Sequence, residues 1–168
     1  GDRIEHASVI PPLLIEQLLE MGLGVVTQPN FVSERGDAYL DEIPESEHSF
    51  LYRIRSLKEA EVPLALATDS PFGNADPWAS MHAAVTRKTP SGRTLCGSES
   101  ITPFEALQGF IGNLKDPFRP VSLAPGQDAD LCLLDYPWSR AGECLSSAHV
   151  RLTIVDGKVV YNSSTTPD

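Results

Sequence analysis

The stretch "VPLALATDSPFG", residues 62–73, restricts the fold of this chain more than any other. Extended over 62–68, it puts Leu64 and Leu66 on one face and Ala65, Ala67 and then Asp69 on the other. Both faces are apolar, which suits a strand covered on both sides, as in a parallel sheet packed against helices. Asp69 then falls at the carboxyl end of the strand, followed at once by the turn formers Ser70, Pro71 and Gly73. Carboxyl ends of parallel strands are where α/β folds place their chemistry.

The chain before this strand repeats one theme. "RIEHAS" reads as a strand end with Ile4 and His6 on one face, and "PPLLIEQLLEMG" as a helix. Prolines open that helix, Leu14, Leu18 and Met21 recur at helical spacing, and Gly22 stops it. "LGVVTQPNF" is a second strand, ended by Pro29. A polar loop is expected from about Ser33 to Glu47, then a helix over "HSFLYRIRSLKEAE" with Phe50, Ile54 and Leu57 on its stripe. Strand, helix, strand, helix, strand is the order of a parallel sheet. Helices are predicted over Pro77 to Arg87 and over Thr102 to Leu114, the second opened by Thr102, Pro103 and Glu105 as a capping box. Beyond Pro120 the pattern turns to β: "ADLCLLDY" and "VRLTIVDGKVVYN", the latter with Asp156-Gly157 as a two-residue hairpin turn. The expected organisation is an α/β region over 1–120, a β segment over 121–162 and a disordered tail over 163–168.

Composition narrows the function classes. A hydrophobic fraction of 41% with 21% charged residues belongs to an ordinary soluble globular chain. The net charge of −10, with Lys and Arg scattered, argues against nucleic acid as a partner. No run approaches the ~20 apolar residues that span a bilayer, so no membrane partner is expected either. Cys96, Cys132 and Cys144 form no CxxC pair, and an odd count suits free thiols in a reducing, cytoplasmic compartment. Cys132, inside "ADLCLLD", reads as a core residue.

On a parallel sheet, His6 and Asp69 fall on the same rim. An imidazole and a carboxylate suit a borderline divalent metal such as zinc, although a strand-end histidine or an Asp before Ser-Pro is also commonly structural. His48, His82 and His149 fall on predicted helices or in a loop and are not expected to be ligands. Gln28, Asn30 and Thr27 end the second strand, and Ser70 and Phe72 follow Asp69; these side chains either line a substrate pocket or satisfy loop backbone. Trp78 reads as a packing residue.

"RIEHAS", "GVVTQPNF", "ALATDSPFG", "DPWASMHAAVTRKT", "TPFEAL", "LAPGQDADLCLLD" and "VRLTIVDGKVVY" stand in an order that resembles the metal-dependent amidohydrolase superfamily. The likeness is nearest to amidohydrolase family 3, with its N-substituted formamide deformylase-like and D-aminoacylase-like members. It implies the C-terminal part of a TIM (β/α)8 barrel, with "IEH" closing strand six, "TQP" on strand seven and "TD" closing strand eight. The "PG-x-x-ADL" and "DGKVV" segments then belong to a flanking β-sandwich. The resemblance makes His6 a metal ligand or substrate-orienting group and Asp69 a metal ligand and general base. It implies one or two divalent ions, zinc foremost, and a small-molecule amide-type substrate.

Other elements of that pattern have no counterpart here. There is no H-x-H anywhere in the chain, and neither the strand-four ligand nor the strand-five histidine is found. A whole barrel takes ~250 residues, so the chain is expected to be part of a longer enzyme, inactive alone and prone to self-association through its exposed barrel surface. The competing readings are a non-catalytic binding or assembly domain that keeps the amidohydrolase fold, and a self-sufficient small α/β domain.

Overall fold

A computed structural model describes residues 2–113 and 115–164. It is a mixed α/β structure with two small sheets. The first sheet contains β1 (Arg3–Glu5), β2 (Gly24–Thr27) and β3 (Leu64–Leu66), all parallel, in the order β1-β2-β3. Crossovers join them, as parallel pairing requires. The helix α1 (Pro12–Glu20) connects β1 to β2, and α2 (Asn30–Glu42), α3 (Glu45–His48) and α4 (Ile54–Glu59) lie between β2 and β3. After β3 come α5 (Pro77–Thr86) and α6 (Pro103–Phe110).

Two apolar clusters hold helices to this sheet. Ile10, Ile15, Val25, Leu57 and Val62 bring α1 and α4 onto β2. Ile54, Leu66, Trp78, Met81, Ala84, Ile101 and Ala106 gather α4, α5 and α6 around β3. Trp78 is buried there, 6.2 Å from the ring of Trp138. Leu64 and Leu66 therefore face helices, as the alternation required, while Ala65 is buried on the other face beside Val26.

The second sheet is antiparallel: β4 (Leu131–Leu134), β5 (Val150–Val155) and β6 (Lys158–Asn162) in chain order, with α7 (Trp138–Ala141) between β4 and β5. Asp156 and Gly157, at φ 50° and 72°, make the hairpin turn expected of that pair. Trp138, Leu145 and Val150 pack against the cluster around β3 and join the two sheets.

Several expectations are corrected. The loop proposed for Ser33 to Glu47 is mostly α2 and α3. Gly36 sits inside α2 because a Cβ there would come within 2.7 Å of the Thr89 methyl. The helix proposed over residues 48–61 is formed only at Ile54–Glu59. Residues 49–53 are drawn out of it: Leu51 bridges to Val9, Tyr52 donates its N–H to the Ser8 carbonyl at 2.9 Å, and Tyr52 itself is left-handed at φ 48°. A remote carboxylate opens α4, since Glu99 accepts the Ser56 N–H at 2.9 Å and pairs with Arg53 at 3.5 Å.

On α1 the buried residue is Ile15, whereas Leu14 and the C-capping Met21, both at helical spacing in the sequence, are 43% and 70% exposed. Cys132 is exposed, not core, because β4 lies at the edge of a thin sheet with little packed on it; Cys96 and Cys144 are free, as is Cys132. Of the tail expected to be disordered, 163 and 164 form a turn in which the Ser163 N–H donates to the Arg151 carbonyl. Residues 165–168, and Leu114 at the end of the predicted last helix, lie outside the described residues. Among the described residues no helix is long and apolar enough to cross a membrane.

The capping box of α6 is complete: Thr102 Oγ1 accepts the Glu105 N–H, and Glu105 Oε2 accepts the Thr102 N–H at 2.7 Å. That backbone hydrogen bond from Thr102 holds the Glu105 carboxyl below its usual range. A depressed carboxyl stabilises above its unfolded pKa and loses the contribution as pH falls through the folded one. Thr102→Ala is expected to cost about 1 kcal/mol at neutral pH. The Thr102 hydroxyl also donates to Glu105 Oε2 at 2.8 Å. Because the alanine keeps the backbone N–H, only that part of the penalty shrinks once acid titrates Glu105; urea unfolding at neutral and acid pH measures it.

Candidate functional site

The central strand β2 defines the rim. On one side the His6 N–H donates to the Val26 carbonyl at 2.8 Å, and on the other the Ala67 N–H donates to the Thr27 carbonyl at 2.9 Å. The segments leaving β1 and β3 therefore pass the same end of β2, with their backbones about 10 Å apart across two strand spacings. His6 and Asp69 stand on those segments, and Thr27 and Gln28 fill the position between them.

Both residues leave the line of their strands. His6 has φ 66° and Asp69 φ 57°. The strand alternation consequently stops before Asp69, and the direction of its carboxylate is set by the turn instead. His6 is exposed and Asp69 half-buried. Neither side chain has a hydrogen-bond partner among the described residues.

Between them the strand end carries unspent polarity. Thr27 and Gln28 are buried, and Thr27 Oγ1 and Gln28 Oε1 have no hydrogen-bond partner among the described residues. The Gln28 amide nitrogen has only a long 3.5 Å contact to the Val26 carbonyl. A buried acceptor without a partner costs about 1–3 kcal/mol, so this pair is an oddity of structure that function can explain.

Asn30 is different. It is buried, and its amide is committed within the chain: Nδ2 donates to the Thr68 carbonyl at 3.1 Å and to Glu34 Oε1 at 3.0 Å, and Oδ1 accepts from Ser80 at 3.4 Å. Ser70 is exposed in the turn after Asp69. Phe72 is 64% exposed, with the Arg35 guanidinium 4.2 Å from its ring centre. Glu34 and Arg35 were not singled out in the sequence because a loop was expected there. The apolar spacing of Phe31, Val32, Tyr39, Leu40 and Ile43 carried the helical signal that would have found them.

The remaining histidines are occupied or remote. His48 Nε2 lies 2.8 Å from the Ile43 carbonyl and His149 Nε2 lies 2.9 Å from the Cys144 carbonyl, while His82 is exposed on α5. Among the described residues no three His, Cys, Asp or Glu side chains come together as a metal-binding group. The donor types at the rim suit a divalent ion, but two of them fall short of the three or four that a tight site uses.

A model of the amidohydrolase family matches residues 1–161. The N-substituted formamide deformylase of Arthrobacter pascens is 30% identical over 95% of this chain, which spans 30% of that relative's length. An uncharacterized metal-dependent hydrolase of Pyrococcus horikoshii is similar over 64% of this chain and 22% of its own, at 29% identity and a TM-score of 0.57. An adenosine deaminase of Xanthomonas campestris, with bound zinc, shares the fold over 99% of this chain and 38% of its own, at 17% identity and a TM-score of 0.68.

Gly73 closes the turn that carries Asp69. A Cβ there would lie 2.2 Å from the Thr68 carbonyl oxygen and 2.5 Å from Asn30 Nδ2. Gly73→Ala is expected to destabilise the chain by about 1–3 kcal/mol, read from the urea midpoint at unchanged slope.

Proposed function

Since this chain belongs to the amidohydrolase family, we propose that it forms part of a metal-dependent hydrolase of non-peptide carbon–nitrogen bonds, with Asp69 as general base. The observation that supports this most is the convergence of His6 and Asp69 on one edge of a parallel sheet, either side of the polar end of β2. In this reading β1, β2 and β3 are strands six, seven and eight of a (β/α)8 barrel. Residues 1–120 are its barrel region and 121–162 a segment of the flanking β-sandwich.

The substrate is a small amide-type molecule. His6 and Asp69 would be among the ligands of a divalent ion, zinc foremost, which when bound would make a water acidic enough to ionise near neutral pH. The Asp69 carboxylate takes a proton from the attacking water as its oxygen adds to the carbonyl carbon. The same proton then passes to the nitrogen as the carbon–nitrogen bond breaks. Gln28 and Ser70 contact the substrate, which gives the unpaired Gln28 Oε1 a donor to accept from. Asn30, whose amide is already engaged, supports the rim from behind.

The incomplete donor set favours a second statement: the remaining ligands come from polypeptide outside these residues, and this chain alone does not turn over amides. A non-catalytic binding or assembly domain that keeps the amidohydrolase fold is the alternative that the same observation allows. Exposed Leu13 and Leu19 on α1 and Met21 at its C-cap, at 63%, 49% and 70%, support self-association of the isolated chain.

Asp69→Asn in the active protein is expected to lower turnover of N-acyl or N-formyl amides by about 100-fold or more with an unchanged circular dichroism spectrum. Activity that survives intact removes Asp69 from the role of base. Metal analysis of the 168-residue chain after dialysis is expected to find less than one zinc per chain, and light scattering to find oligomers. Stoichiometric zinc in a monomer contradicts both statements.

A further inference from the structure

We propose that the first two turns of α2 position Asp69, with Glu34 as the residue that closes the device; this rests on the reading of Asp69 as the base. The Asp69 carboxylate has no hydrogen-bond partner among the described residues, so within this chain the backbone of its turn sets where it stands. Within the turn, the Asp69 carbonyl accepts the N–H groups of Phe72 at 2.8 Å and Gly73 at 3.0 Å.

Three attachments hold that turn to α2. Ahead of Asp69, Asn30 Nδ2 donates to the Thr68 carbonyl at 3.1 Å. Behind it, the Asn74 N–H donates to Glu34 Oε1 at 3.0 Å. Between these, the Phe72 ring lies under the Arg35 guanidinium at 4.2 Å, and Arg35 also covers Phe31 at 5.0 Å. Glu34 Oε1 accepts from Asn30 Nδ2 as well, at 3.0 Å, so one carboxylate oxygen ties the two ends of the turn together. Glu34 and Asn30 touch no reacting atom; they act through Asp69 and are positioning residues.

A displacement of the base by about 1 Å is enough to cost 100-fold in rate. In the active protein, Glu34→Ala is expected to lower kcat about 10- to 100-fold with KM within about twofold. Glu34→Gln, which keeps the acceptor oxygen, is expected to recover most of the loss. In an Asp69→Asn background Glu34→Ala is expected to add no further loss, because residues that act as a unit are not additive. Amide hydrogen exchange in this chain gives a readout free of catalysis: the Asn74 N–H exchanges faster in Glu34→Ala and not in Glu34→Gln. Unchanged Asn74 exchange in Glu34→Ala overturns the proposal, as does a rate loss that multiplies with Asp69→Asn. Full turnover by Asp69→Asn overturns the assignment of the base itself, a failure told apart by an Asn74 amide that still responds to Glu34→Ala.

Discussion

Parallel pairing of β1 and β3 onto β2 is the constraint from which the rest of the structure follows. Parallel strands need crossovers, and helices supply them; the helices in turn bury Val25, Leu66, Ile54 and Leu57 against the sheet. Each such side chain contributes about 1.5–3 kcal/mol when fully removed from water. The same pairing makes every strand finish at one edge. His6, Gln28 and Asp69, far apart in the chain, reach that edge by topology alone.

Much of this was legible in residues. The two-sided apolarity of 62–68 predicted a covered parallel strand, which forms at its centre as Leu64–Leu66, and Asp156-Gly157 predicted the hairpin; both rest on local rules, alternation and turn chemistry. The Thr102 capping box was legible for the same reason. The rim position of His6 and Asp69 followed once the sheet was taken as parallel. What the alternation did not reach was the direction of Asp69, because a left-handed residue ends the strand's period.

The illegible parts depend on partners remote in sequence. Gly36 reads as a loop residue until Thr89 is brought against it. The start of α4 is fixed by Glu99 through Ser56 and Arg53, and no local residue announces it. Cys132 looks apolar in "ADLCLLD", yet its burial depends on what covers an edge strand, which the strand's own pattern does not contain. Glu34 is an ordinary surface glutamate in the sequence, and its part at the rim appears only when Asn74 folds back onto it.

The seating of Gly36 against Thr89 has a wider consequence. Beside it, Asp37 accepts from Ser91 and Arg93, at 2.7 and 3.0 Å to Oδ1, and Asp41 accepts from Arg93 at 2.8 Å. The middle of α2 is thus bound to the chain that follows α5, while its first turns are bound to the chain that precedes α5. Residues 68–94 therefore wrap α2 as a clasp, and neither end opens without loading the other. In energetic terms the clasp and the helix form one cooperative unit, so looseness introduced at Thr89 is felt as mobility at the rim.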